Sequence, residues 1–140
     1  TLGLVMESVI INLNQDKIVI IKFKNTFFLL SYMAEIPFKE WQKLELVVGQ
    51  IKEVKDHPKA DKLYLMKVDL GEKIINLVAG LKEFYSVKEL KNKKVIVFKN
   101  LEPAVIRGEK SEGMVLAAEK DGKVALLAVD KDIELGAKVR

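Results

Sequence analysis

Asn100-Leu101-Glu102-Pro103-Ala104-Val105-Ile106-Arg107-Gly108-Glu109-Lys110-Ser111-Glu112-Gly113-Met114 lies between two apolar runs, Val95-Ile96-Val97-Phe98 and Met114-Val115-Leu116-Ala117-Ala118. Both runs are short and apolar, the pattern of buried strands. Pro103 fixes its own φ and biases Glu102 toward extended geometry. Gly108 and Gly113 permit a positive φ or a close approach of backbone. The stretch therefore reads as a long, rigid, basic loop, carrying Arg107 and Lys110, held between two buried strands. Binding residues commonly sit on loops positioned by a rigid scaffold.

Working outward from that loop, the chain resolves into short strands. Leu44 to Lys55 reads as one long strand whose apolar phase changes around Gly49-Gln50, which predicts a bulge at Gly49. Asp56 to Asp61 is a loop containing His57-Pro58, with Lys59 and Lys62 beside it. Leu63 to Leu70 alternates, with Tyr64, Met66 and Val68 on one side and Leu63, Leu65 and Lys67 on the other. Gly71-Glu72 turns, and Lys73 to Val78 returns, making a hairpin. Glu83 to Leu90 places Phe84, Val87 and Leu90 at helical spacing, with Ser86 as a cap. Lys93 to Lys99 is the next strand. Asp121-Gly122, between Met114–Lys120 and Lys123–Val129, is a two-residue hairpin signal. Five strands with one late helix and no internal repeat predict an all-β fold, a small barrel.

The first part of the chain is less informative. Pro37 to Lys43 predicts a short helix, with Trp41 as a core or interface anchor rather than a base-stacking residue. In residues 1–32, Glu7–Leu13 and Lys17–Lys24 suit a hairpin turning at Asn14-Gln15-Asp16. Three readings of this extension stand open: an extra hairpin, the end of a preceding module, or upstream sequence foreign to the functional protein. The last is preferred, which places the functional domain at residues 33–140.

Composition narrows the chemistry. The chain has 140 residues, the size of one domain with an appendage, and 49% are apolar. There is no cysteine and one histidine, which removes disulfides, thiolate chemistry and histidine-rich metal clusters. The expected cofactor and metal complement is none, and the cysteine-free composition suits a cytoplasmic location. No apolar run is long enough to span a bilayer. The net charge is +4, from 24 basic and 20 acidic residues. So modest an excess serves an anionic partner only where the cations gather on one face.

Enzyme readings do poorly. Met114 stands where a phosphate loop needs its lysine. Ser111 lacks the glycine two residues before it that a nucleophile elbow requires, and His57 is the only imidazole. Carboxylates are many but scattered. No catalytic residue is assigned. Binding does better: from Lys93 to Lys110 there are five basic residues (Lys93, Lys94, Lys99, Arg107, Lys110) against two acidic ones (Glu102, Glu109). Arg107 offers a planar fork to phosphate and the lysines offer point charges. Asn100 and Ser111 suit either sugar, phosphate and base contacts or ties to their own backbone. Few aromatics are available as a stacking platform, which favours a folded RNA read by shape and phosphate.

The pattern N-L-x-P followed by R-G-x-x-S-x-G-M, residues 100–114, resembles the tRNA-binding domain family. So do Leu44-Glu45-Leu46-Val47-Val48-Gly49, His57-Pro58-Lys59-Ala60-Asp61-Lys62-Leu63-Tyr64, Val78-Ala79-Gly80-Leu81 and the tail Glu134-Leu135-Gly136-Ala137-Lys138-Val139-Arg140. The resemblance covers about Phe38 to Arg140. It implies a five-stranded OB-fold barrel with a short N-terminal helix and one short helix between strands 3 and 4. It implies tRNA as partner and no catalysis, at most an accessory subunit acting in trans with methionyl-tRNA synthetase. Lys62, Lys99, Asn100, Arg107, Lys110, Ser111 and Met114 take binding roles by motif match. The tail and start helix imply a homodimer. One branch of the family implies the alternative of a chaperone-like, protein-binding module.

Overall fold

The computed structural model describes residues 6–13, 16–23, 26–32 and 35–140. The chain divides into two compact units, residues 1–41 and 42–140. In the first, β1 (Met6–Leu13), β2 (Asp16–Phe23) and β3 (Thr26–Tyr32) form an antiparallel sheet in that order. Met6 pairs with Phe23 and Leu13 with Asp16, and β3 adds a third strand. The expected turn residues Asn14 and Gln15, and Met33 at the expected domain start, lie outside the described residues. Helix α1 (Phe38–Trp41) follows Pro37, whose carbonyl accepts from the N–H of Glu40 at 2.9 Å and of Trp41 at 3.3 Å. Trp41 is half-buried rather than a core residue.

The second unit is the five-stranded barrel with two added hairpins. Its strands are β4 (Leu46–Asp56), β5 (Tyr64–Asp69), β6 (Ile74–Ala79), β7 (Lys94–Phe98) and β10 (Met114–Val115), in sheet order β10-β7-β4-β5-β6. Helix α2 (Val87–Leu90) lies between β6 and β7, the third and fourth barrel strands. Ser86 caps it, its Oγ accepting from the Glu89 N–H at 3.2 Å. The alternation read for β5 holds: Tyr64, Met66 and Val68 are buried. They join Ile51, Leu70, Leu77, Leu90, Val95 and Val97 in one core. Each such side chain contributes roughly 1.5–3 kcal/mol by leaving water.

Strand β4 bends, but not where its apolar phase suggests. The register slips between Ile51 and Glu53, so the bulged residue is Lys52. Gly49 stays in regular pairing with Val95. Its role is space: a Cβ there would lie 2.8 Å from Val68 Cγ1 and 3.0 Å from Leu70 Cδ2. The bend lets one strand serve three partners. Leu46–Gln50 pairs with β7 on one edge, and the tail runs along the other. There Gly136 N–H donates to Val48 O (2.8 Å), Val48 N–H to Ala137 O (2.9 Å) and Val139 N–H to Leu46 O (2.8 Å). Gln50–Asp56 pairs with β5.

The run Met114–Lys120, expected as one strand, divides at Leu116. Leu116 N–H donates to Ile96 O at 3.0 Å while its carbonyl takes the Leu127 N–H at 3.0 Å. Beyond it β11 (Ala117–Lys120) pairs with β12 (Lys123–Leu126) across Asp121-Gly122, both at positive φ, 51° and 76°.

The barrel closes between β6 and residues 111–112 through side chains as well as backbone. Val78 N–H donates to Ser111 Oγ at 3.1 Å, and that hydroxyl donates to Gly113 O at 3.1 Å. Asn76 N–H donates to Glu112 Oε2 at 2.8 Å, and Glu112 N–H to Asn76 O at 2.8 Å. Ser111 is buried, so its removal leaves Val78 N–H without a partner. Ser111→Ala is expected to cost roughly 1–3 kcal/mol in urea unfolding, with the midpoint lowered and the slope unchanged.

Candidate nucleic-acid interface

The segment read as a long loop contains a hairpin of its own. Strands β8 (Ala104–Ile106) and β9 (Glu109–Ser111) pair through Ala104↔Ser111, Val105↔Lys110 and Ile106↔Glu109. Arg107 and Gly108 form the two-residue turn, at φ 52° and 87°. Both positive values match the turn that suits the twist of a hairpin. Holding arginine in this region costs roughly 1–2 kcal/mol relative to glycine. The strain sets the Arg107 side chain, exposed, at the tip of a rigid ribbon.

A second loop, residues 57–63, is joined to this ribbon. His57 Nε2 lies 3.1 Å from the carbonyl oxygen of Ile106, the residue before Arg107. Lys59, Arg107 and Lys110 are exposed, and among the described residues no ion pair holds them. Lys62, in the same loop, is exposed and sits 3.7 Å from Glu83.

Beside the ribbon, a depression of about 270 Å³ runs over the outer side of β4, β5 and β6, with Lys55, Lys67, Asn76 and Lys110 among its walls. Register explains the grouping: Glu53 pairs with Lys67, and Lys67 with Asn76. Glu53 lies 3.1 Å from Lys55 and 3.4 Å from Lys67. The hydrogen bond from Lys55, then that from Lys67, holds the Glu53 carboxyl below its ordinary range. The carboxylate thus pairs with two of the cations on this face.

Four of the seven residues picked out by motif have other partners: Lys62, paired with Glu83, and three more. Lys99 is screened by acids, 3.1 Å from Glu72 and 3.7 Å from Glu45, and its ammonium is raised above the usual lysine range chiefly by the hydrogen bond to Glu72. Asn100 ties the chain to itself: its Oδ1 accepts from Glu45 N–H and its Nδ2 donates to Lys43 O, both at 2.8 Å. Ser111 is spent on barrel closure. Met114 is 44% exposed and lines a separate depression of about 350 Å³ with Phe84, Leu81 and Val78. Arg107 and Lys110 are brought together on one ribbon, and Lys62 lies in the loop joined to it. Lys55, Lys67 and Asn76 were missed from the sequence. Alternation already put Lys67 on the outer side of β5, but its neighbours follow from a register that the bulge at Lys52 shifts.

A model of the family described as "Putative tRNA binding domain" matches residues 46–138. The chain belongs to the tRNA-binding domain family. It is 56% identical over 108 residues to the methionine–tRNA ligase of Pyrococcus horikoshii, covering 77% of this chain and 15% of that protein. The chain therefore spans about one-seventh of the length of such ligases. The crystal structure of a MetRS-related protein from Pyrococcus horikoshii superposes with a TM-score of 0.73 at 32% identity, covering 77% of this chain and 100% of that one. The CsaA chaperone protein of Picrophilus torridus gives 0.70 at 35% identity, over 76% of this chain and 100% of that one. The matched domain is a binding domain, and its relation to methionine–tRNA ligases follows from these relatives. Among the described residues no helix is long and apolar enough to cross a membrane.

Two outcomes follow from the contacts. Glu53→Gln frees Lys55 and Lys67, so affinity for tRNA at low salt is expected to rise roughly two- to five-fold, read by fluorescence titration. Asn100→Ala is expected to lower stability by about 1–2 kcal/mol in chemical unfolding while leaving the slope of log affinity against log salt unchanged.

Proposed function

We propose that this chain is a non-catalytic module that binds folded tRNA by shape and phosphate, and that it acts in trans with methionyl-tRNA synthetase. The observation that supports this best is the joining of the 57–63 loop to the β8–β9 ribbon, which gathers Lys59, Arg107 and Lys110 without acidic partners. Lys55 and Lys67 extend that surface along the β4–β6 depression, and Lys62 lies in the joined loop beside Glu83. A phosphate neutralised by each cation releases counterions, and affinity then falls log-linearly with salt. Asn100 and Ser111 serve the site by holding the backbone that carries it, and Lys99 stays paired with Glu72. The barrel unit carries the role, with residues 1–32 an extension of a domain that begins near residue 33.

Action in trans is supported by the full coverage of the solved MetRS-related protein, which is about as long as the barrel unit. Tethering tRNA near a synthetase raises its effective concentration without new contacts at the catalytic site. Catalysis then belongs to the partner, and the setting is the cytoplasm. A homodimer is part of this reading: Leu127 and Ile133, ahead of the tail, are 40% and 47% exposed, apolar surface available for a second copy.

A second reading, a chaperone-like peptide-binding module, is favoured by the Met114–Phe84 depression, where both side chains are exposed, and by the likeness to CsaA. Salt separates the two. Affinity measured at two salt concentrations for folded tRNA, unfolded tRNA and duplex DNA is expected to favour folded tRNA, with a steep slope, whether or not residues 1–32 are present. A shallow slope together with binding of apolar peptides establishes the second reading instead. Replacing Arg107 with Asn, which tolerates the turn, and Lys110 with Ala is expected to cost roughly 1–3 kcal/mol of binding and to reduce the salt slope by about two.

A further inference from the structure

The two hydrogen bonds of His57 leave its ring only one protonation pattern. Nδ1 accepts the backbone N–H of Lys59 at 3.0 Å, so it carries no proton. Nε2 faces the Ile106 carbonyl oxygen at 3.1 Å, and a carbonyl only accepts, so Nε2 carries the proton. The ring is a neutral bridge with an acceptor at one end and a donor at the other. It is 5% exposed. The same residue's N–H donates to Leu63 O at 3.1 Å, which closes the 57–63 loop at its base.

We propose that His57 is a positioning residue that locks the 57–63 loop and the β8–β9 ribbon into one two-sided clamp for RNA phosphate; this rests on the tRNA-binding reading above. The bridge ends on the two places where it matters. One end holds the backbone of Lys59, itself a cation. The other holds Ile106, whose next residue is Arg107 at the turn. Among the described residues no other hydrogen bond or ion pair joins the loop to the ribbon. A phosphate gripped from both sides needs the spacing of its cations fixed before it arrives, because ordering two independent loops on binding costs affinity. A neutral imidazole sets that spacing without placing a like charge beside the lysines.

Two substitutions in the full chain separate the two bonds. In His57→Asn the amide oxygen falls near the place of Nδ1 and keeps the Lys59 bond, but the side chain is too short to reach Ile106. In His57→Gln the amide nitrogen falls near the place of Nε2 and keeps the Ile106 bond. Thermal melts followed by circular dichroism are expected to show both folded. His57→Asn is expected to bind folded tRNA roughly five- to thirty-fold more weakly, with a salt slope shallower by about one. His57→Gln is expected to keep the full slope. In a double-mutant cycle, Arg107→Asn is expected to lose most of its effect when combined with His57→Asn, since the arginine is no longer held in register. Wild-type affinity and slope in His57→Asn, or simple additivity with Arg107→Asn, would overturn the proposal. If His57→Asn fails to fold, His57→Gln decides: a slope as shallow as that of Arg107→Asn overturns it. A wild-type chain that binds no tRNA sinks the tRNA reading itself, whereas wild-type binding with an indifferent His57 sinks only the clamp.

Discussion

The hydroxyl of Ser111 does what a strand cannot do at the seam of this barrel. Strands β6 and β10 face one another there without a regular ladder between them, and an unpaired N–H on Val78 would be costly where water is excluded. Ser111 Oγ takes that N–H and donates its own proton to the Gly113 carbonyl. Gly113 is held to glycine by space, because a Cβ there would lie 2.8 Å from Phe98 O. The seam also fixes the base of the ribbon, since Ser111 is the last residue of β9. A barrel-closing contact is therefore also the anchor of Arg107 and Lys110. Fold and candidate site share this joint, and damage to one reaches the other.

Charge has to be read from its arrangement rather than its total. A net +4 is small, and many lysines are already engaged: Lys55 and Lys67 with Glu53, Lys82 with Asp56, Lys94 with Asp132, Lys99 with Glu72. Exposed pairs of this kind contribute little to stability. Their effect on binding is larger in proportion, because each one withdraws a cation from the field a polyanion meets. The ribbon and the loop joined to it keep Lys59, Arg107 and Lys110 outside such pairs.

Much of this was legible in the sequence. Local signals marked β5 by alternation, the start of α2 by its Ser86 cap, and the Asp121-Gly122 turn by dipeptide, although α2 spans only Val87–Leu90 and leaves Phe84 ahead of it. Among the local readings that went astray, besides the strand divided at Leu116, two have reasons the packing supplies. The phase change near Gly49 marks a glycine pressed between Val68 and Leu70, and the bulge sits at Lys52, where no residue type announces it. Arg107-Gly108 is a hairpin turn, but arginine in the first position of such a turn is not the usual Asn or Asp, so the ribbon was hidden within a loop. Motif resemblance marked Lys99, Asn100 and Ser111, whose side chains serve the scaffold, as readily as Arg107 and Lys110, which face solvent. A motif records what a family keeps and does not separate holding from touching. The Lys55–Lys67–Asn76 grouping depended on three strands in register, information that no single stretch contains.

The residues that hold the candidate site are neutral, and the residues it exposes, Lys59, Arg107 and Lys110, are charged. Asn100, Ser111 and His57 fix backbone by hydrogen bonds that bring no counterion with them and that salt screens little. Had ion pairs held the ribbon and loop instead, each anchoring carboxylate would compete with phosphate for the cations, and each anchor would loosen in the same salt that weakens binding. Neutral anchors separate the two dependences. The proposed clamp would keep its geometry across ionic strength while its grip on a polyanion varied, so salt would act on the bound state alone. A steep salt dependence in such a protein then counts contacts to the ligand, rather than reporting a binding surface that comes apart.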